Sequence, residues 1–194
     1  TKLLKSDLSK QCSSAAYAVM IDGEIAAEDS MGRNPIRGGT YNVGSVSKVY
    51  CAAAVMQLVE KGLLELDRPV CEYLPKFHMP DSRFRQITLR HCLNHSSGLP
   101  GTQWRWLAAG RPRREDYYDE VYDMLSHCAL HSAPGEYSVY CNDGFTLAEM
   151  AIAEVTGLSY GEYCKKYITE PIGAHSSRQS SQRNPEYSHT SIVG

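Results

Sequence analysis

The sequence has no run of the about 20 uninterrupted apolar residues that a membrane-spanning helix needs. Its first ten residues, TKLLKSDLSK, also lack the apolar core of a signal peptide, so any leader must precede Thr1. It has no excess of charge either, with 20 Lys and Arg against 22 Asp and Glu. A chain with this balance has no broad positive field for phosphates, and we do not expect nucleic acid as a partner.

The seven cysteines include no C-x-x-C pair, and their odd number leaves at least one thiol unpaired. Cys51 lies within a long apolar run, where a free cysteine behaves as a small hydrophobic side chain. We therefore expect most of the seven to be thiols of the core. This use of cysteine favours a reducing, cytoplasmic setting over an oxidising one.

Hydrophobic patterning predicts several helices and a single hairpin. Two short apolar stretches within residues 15–27 flank Asp22-Gly23, which is a typical hairpin turn. Apolar residues of helical period predict a helix from Val46 to Lys61, and the absence of charge from Val49 to Met56 indicates that it is covered on most sides. Caps and periodicity predict further helices after Thr88, over Glu115 to Leu130, from Asn142 or Asp143 to Gly157, and after Ser159.

Ser45 and Lys48 form an S-x-x-K motif at the predicted start of the first helix. Residues three apart share a helix face, so the lysine amine can reach the serine hydroxyl and accept its proton. The backbone N–H of Ser45 would add a donor for an oxyanion. Short motifs also match by accident. The motif alone leaves open that Ser45 is a helix cap and Lys48 a solvated lysine.

Longer segments resemble the family of class C β-lactamases, DD-peptidases and related esterases. In that family the S-x-x-K helix is followed by a G-x-L-x-L-D-x-P-V stretch that ends Y-L-P, and then by an R-H-L-L-T-H-T-S-G-L-P segment. Here residues 60–77 read EKGLLELDRPVCEYLPKF, and residues 87–101 read ITLRHCLNHSSGLPG. The E-P-I-G of residues 170–173 resembles the end of the family's helical region. These matches are far more specific than a four-residue motif.

The family's second motif, Y-x-N, is matched by Tyr140-Cys141-Asn142. The resemblance implies that Tyr140 lies beside Lys48 and passes a proton to the leaving group. It also implies that Asn142 binds the amide of the substrate. Taken by itself, the triplet could equally be a core tyrosine followed by an asparagine that caps the next helix.

The family's third motif, K-T-G or H-T-G on a later strand, has only a faint echo in residues 188–194. We therefore expect residues 1–174 to be a partial β-lactamase-like domain of α+β class, a helical region packed on an antiparallel sheet. The C-terminal strands and helix of that domain are absent from these residues. We expect residues 175–194 to be a poorly structured tail. A longer gene product or a second chain would supply the missing part.

The resemblance implies a serine hydrolase that forms an acyl-enzyme on a β-lactam, a D-Ala-D-Ala peptide of peptidoglycan type or a small ester. The alternatives are a penicillin-binding sensor that does not turn over and an inactive fragment. No metal and no organic cofactor is expected. The family suggests an extracytoplasmic or cell-envelope location, in contrast to the cysteine content.

Other clusters have simpler explanations than a functional site. The pairs His91 with His95 and His127 with His131 have a spacing that could hold a metal, but capping or core hydrogen bonding is the preferred interpretation. The arginines of residues 111–114 are read as a solvated loop. Gln103 lies near the position of a substrate-binding glutamine in class C enzymes, but its distance from the S-G-L-P segment differs by one residue.

Overall fold

A computed structural model of the protein describes residues 14–31, 41, 43–101 and 117–177. The chain divides into two compact units, of which one contains the strands and the other, Gly44–Gln182, contains the helices. This combination confirms the α+β class. Within the described ranges, no helix is long and apolar enough to cross a membrane. Residues 175–177 close the described part, so the boundary of the predicted tail stays a prediction.

The predicted hairpin is confirmed. Strand β1 (Ala15–Ile21) pairs antiparallel with strand β2 (Glu24–Met31). Asp22 and Gly23, which join the strands, have positive φ values of 50° and 84°, as a tight hairpin turn requires. The second strand runs four residues beyond the predicted end at residue 27.

The helical unit contains six α-helices and three shorter turns among the described residues. The α-helices are α1 (Lys48–Glu60), α2 (Val70–Tyr73), α3 (Leu89–Leu93), α4 (Tyr117–Leu125), α5 (Asn142–Thr156) and α6 (Tyr160–Cys164). The shorter turns are 3-10 turns at Gly44–Ser47 and Ser82–Gln86 and a π-helical turn at Lys165–Thr169. Helix α5 packs against α1, α2, α3 and α6 and forms the middle of the core.

Helix α1 is buried or half-buried at most of its positions. Cys51, Ala54 and Leu58 are buried, whereas Val46 in the preceding turn and Val49 are 62% and 68% exposed. Of the 13 residues of α1, only Val49, Met56 and Glu60 are exposed, so the prediction that this helix is covered on most sides is confirmed. A run without charge shows that a surface favours burial, but it does not identify what buries it.

Local capping rules were reliable, whereas one predicted helix end was not. The Thr88 hydroxyl accepts from the His91 N–H and the Ser159 hydroxyl from its own capping partner, so both predicted helix starts are confirmed. Helix α4 ends at Leu125, five residues before the predicted end at Leu130. Ser126 Oγ and His127 Nδ1 both bond the Asp123 carbonyl, and such local bonds compete with helix continuation.

The cysteines within the described ranges are all free thiols. Cys51, Cys92, Cys141 and Cys164 are buried. Burial raises the pKa of the Cys51 and Cys92 thiols well above the usual range, so both remain protonated and behave as hydrophobic side chains. Cys12 lies outside the described residues.

Gly98 should tolerate no side chain. Its φ is +72°, and an added Cβ would collide with the Ser132 backbone carbonyl. Gly157, the left-handed cap of α5, has a φ of +66° and open space around a Cβ. We expect Gly157→Ala to cost about 1 kcal/mol from backbone strain alone, and Gly98→Ala about 3 kcal/mol or more because the collision adds to it. Urea unfolding of both variants measures the difference, and equal midpoints would contradict this packing.

Candidate active site

Ser45, Lys48 and Tyr140 meet at the N-terminal end of α1. Lys48 Nζ donates to Ser45 Oγ at 3.2 Å, and Ser45 Oγ lies 2.5 Å from the Tyr140 hydroxyl. Ser45 lies in the 3-10 turn that precedes α1, and Lys48 is the first residue of the helix, so one turn of backbone sets their spacing. Tyr140 comes from a loop 95 residues further along the chain.

Asn142 also reaches this cluster. Lys48 Nζ donates to Asn142 Oδ1 at 2.6 Å. The N-cap of α5 is Cys141 and not Asn142, so the alternative of Asn142 as the cap of this helix is wrong. The structure thus brings together all four residues that the two motifs singled out.

The amine of Lys48 lies among aromatic rings. Lys48 Nζ is 4.9 Å from the centre of the Tyr140 ring and 5.3 Å from that of Phe145, within the range of cation–π attraction. Partial burial would raise the pKa of the Tyr140 phenol, but hydrogen bonding to Lys48 and Ser45 and the Lys48 charge lower it below its usual value. Tyr140 is therefore easier to deprotonate than an ordinary tyrosine.

The loop that carries Tyr140 is held against the turn after α3. The Val139 N–H donates to the His95 carbonyl at 2.8 Å, and the Gly135 N–H donates to the Ser96 carbonyl at 2.7 Å. The Ser138 hydroxyl donates to the Asn94 carbonyl at 3.1 Å. This turn belongs to the matched segment of residues 87–101. The segment therefore supports the loop that carries the Y-x-N motif.

In the part of the chain that the structure describes, the cluster is exposed to solvent. Ser45 and Tyr140 are exposed, as are Val46 and Val49, which follow Ser45 within four residues of the chain. A site that excludes water needs further residues above this surface.

The paired histidines form hydrogen bonds within the protein. His91 Nδ1 accepts from the Thr88 N–H, His95 Nδ1 accepts from the Cys141 N–H at 3.1 Å, and His127 Nδ1 bonds the Asp123 carbonyl. Among the described residues, no group of three or more His, Cys, Asp or Glu is placed to hold a metal. The preferred interpretation of these histidines is confirmed for His91 and His95.

Several other predictions lie outside the described residues. These are Gln103, the arginines of residues 111–114, and the echo of the third motif in residues 188–194. Sequence reasoning did not identify Phe145, three residues after Asn142, whose ring lies beside the Lys48 amine. Its place near the first turn of α5, one turn beyond the motif, was the available signal.

Comparison with known proteins agrees with this geometry. Residues 2–192 match the Beta-lactamase family, and the chain belongs to that family. It is 29% identical over 173 residues to Penicillin-binding protein 4 of Amycolatopsis lactamdurans, covering 84% of this chain and 44% of that protein. It is 26% identical over 167 residues to the D-alanyl-D-alanine-carboxypeptidase/endopeptidase AmpH of Escherichia coli K12, covering 80% of this chain and 42% of the relative.

The fold resembles a D-stereospecific amidohydrolase from Streptomyces sp. with a TM-score of 0.73 and 27% identity, covering 89% of this chain and 53% of that one. The chain thus spans about two fifths to one half of the length of these relatives. The resemblance read from the two motifs and the matched segments is confirmed.

Proposed function

We propose that this chain carries the nucleophile half of a serine hydrolase that works through an acyl ester on Ser45. The observation that carries the proposal is the meeting of Ser45 Oγ, Lys48 Nζ and the Tyr140 hydroxyl at hydrogen-bond distance. A serine alone is a weak nucleophile, and a proton acceptor beside it is what makes it reactive. Lys48 and Tyr140 supply two adjacent groups that can take this proton.

The proposed reaction has two steps. Ser45 Oγ bonds to the substrate carbonyl carbon while its proton moves to the Lys48 and Tyr140 pair. The bond from that carbon to the leaving nitrogen or oxygen then breaks, and Tyr140 returns the proton to the leaving group. Water next attacks the ester carbon and gives a proton to the same pair, the bond from that carbon to Ser45 Oγ breaks, and the pair passes the proton from water to Ser45 Oγ while the acid product leaves. The Ser45 N–H serves as one oxyanion donor.

The proposed substrates are a β-lactam, a D-Ala-D-Ala peptide or a small ester. Two relatives support the first two classes, since their names specify penicillin binding and D-alanyl-D-alanine carboxypeptidase activity. The amide nitrogen of Asn142 carries two donors that suit a substrate amide carbonyl. A peptidoglycan-like substrate goes with an extracytoplasmic location, which we propose in preference to the reducing compartment inferred from the cysteines.

We further propose that a longer polypeptide or a second chain completes the site. The exposed Val46 and Val49 beside the nucleophile support this, since apolar side chains around a reactive serine favour being covered. The limited share of the relatives' length gives the same indication. The missing part would add a second oxyanion donor, whose loss typically costs about 100-fold to 1,000-fold in rate.

A binding domain that acylates without turnover is the second candidate, and an inactive fragment is the third. The exposure of Ser45 and Tyr140 favours slow turnover by this chain alone, because a site open to bulk water does not hold one water molecule in line with the ester. The binding domain would form an acyl ester on Ser45, whereas the inactive fragment would form none.

A fluorescent penicillin and a chromogenic ester separate these functions. We expect the chain to be acylated slowly by the fluorescent penicillin and then to release the label. We expect the longest polypeptide of its gene to be acylated and deacylated about 100-fold faster or more. Persistent label would instead identify a sensor. Absence of both label and ester hydrolysis, in the chain and in the longer polypeptide, would contradict the proposed function.

A further inference from the structure

His95 contacts the Tyr140 loop in three independent ways. Its carbonyl accepts the Val139 N–H at 2.8 Å, and its Nδ1 accepts the Cys141 N–H at 3.1 Å. Its ring lies on the Tyr140 ring, with centres 4.6 Å apart and planes at 36°. One residue therefore holds the backbone N–H of each neighbour of Tyr140 and packs on the Tyr140 ring itself.

The backbone of His95 is strained in a way that serves these contacts. Its φ is +62°, in the left-handed region that few residues other than glycine adopt. The same ring also contacts Phe145, with centres 5.2 Å apart, so it touches both aromatic rings that flank the Lys48 amine. Strained residues of this kind persist where surrounding contacts fix them, and they cluster at functional sites.

We propose that His95 is a positioning residue that holds Tyr140 at the Ser45 hydroxyl and releases it when the imidazole is protonated. This inference rests on the proposed function of Ser45, Lys48 and Tyr140. Nδ1 can accept the Cys141 N–H only while it carries no proton, which places the proton of the neutral ring on Nε2. A second proton turns this acceptor into a donor and breaks the bond. The Cys141 amide then loses this acceptor, and the loop loses one of its two hydrogen bonds to His95.

The groups around the imidazole determine the pH at which His95 releases the loop. The Lys48 ammonium faces it from α1, the Tyr140 phenol and the Cys141 backbone N–H face it from the loop, and Phe145 of α5 is uncharged. Burial first, and the Lys48 charge in addition, lower the pKa of His95 below its usual 6.5, against the opposing effect of the bond from Cys141. The neutral, holding form therefore persists at neutral pH, and release requires acidification below about 6.5.

Two variants separate the acceptor from the rest of the residue. Both Asn and Gly tolerate the left-handed backbone, but only Asn offers an acceptor near the position of Nδ1. With the chromogenic ester, we expect His95→Gly to lower kcat/KM about 100-fold, because a small displacement of a reacting group has an effect of that size. We expect His95→Asn to retain activity within about tenfold and to lose the acid limb of the wild-type pH profile that His95 causes.

Asp143 titrates in a similar range and needs its own control. Burial raises the pKa of its carboxyl to about 6. Asp143→Asn removes this titration and leaves His95 in place. An acid limb that survives in Asp143→Asn and disappears in His95→Asn belongs to His95, whereas the opposite pattern would overturn the inference.

The amide resonance of Cys141 gives a readout that does not depend on catalysis. We expect its proton shift to move as the pH falls below 6.5 in the wild type and in Asp143→Asn, and to stay fixed in His95→Asn. A shift that is independent of His95, or equal loss of activity in His95→Asn and His95→Gly with both folded by circular dichroism, would overturn the inference. If the wild type has no activity but the Cys141 amide shift titrates as expected, the proposed function fails, and the inference that His95 holds the Tyr140 loop is retained.

Discussion

Replacing Ser45 by Ala should abolish acylation and reduce ester hydrolysis to background, a loss of about a thousandfold or more. Ser45 Oγ is the atom to which both Lys48 Nζ and the Tyr140 hydroxyl are directed, and alanine offers nothing that can bond to a carbonyl carbon. The rate of label uptake from fluorescent penicillin measures the effect directly.

Ser47 provides the matched control for this substitution. It belongs to the same turn, but its hydroxyl donates to the Gly44 carbonyl at 2.7 Å and has no part in the cluster. Ser47→Ala should label within a few-fold of the wild type. Equal loss in Ser45→Ala and Ser47→Ala would indicate that the turn is damaged rather than that a nucleophile is missing.

Replacing Lys48 should have the second largest effect. Lys48→Met keeps a chain of similar length but removes the amine, and we expect acylation to fall about 100-fold to 10,000-fold, the usual range for loss of a general base. Lys48→Arg keeps the positive charge, but a guanidinium cannot lose its proton in a protein. Both variants should therefore be slow, measured as the second-order rate constant of label uptake.

The two substitutions distinguish a base from a charge. If Lys48→Arg acylates at nearly the wild-type rate, Lys48 acts only through its charge and Tyr140 alone takes the proton. Lys61→Met is the matched control, since Lys61 immediately follows α1 and its amine also lies over aromatic rings, 4.7 Å from the centre of the Tyr167 ring. It is remote from the motif residues, and we expect it to acylate normally.

The four residues of the two motifs could be predicted because their spacing along the chain carries the information. Ser45 and Lys48 are one helical turn apart, and helix geometry alone brings them together. The caps at Thr88 and Ser159 are local for the same reason, since a hydroxyl and an N–H three residues later define a helix start. Tyr140 and Asn142 were placed only through the family resemblance.

The features that sequence reasoning missed depend on contacts distant in sequence. The bond from the Cys141 N–H to His95 joins residues 46 apart, and no local pattern predicts it. The early end of α4 follows from competing bonds to one carbonyl of Asp123, which a pattern of apolar spacing does not include.

The central claim is that Ser45 Oγ is the acylated atom, and peptide mapping of the labelled chain tests it most directly. Trypsin releases residues 38–48, which contain both Ser45 and Ser47, and fragment ions separate the two hydroxyls. We predict that a penicillin adduct raises the mass of this peptide and that the added mass lies on Ser45. An adduct on Ser47, on another peptide, or an equal yield from Ser45→Ala would contradict the account.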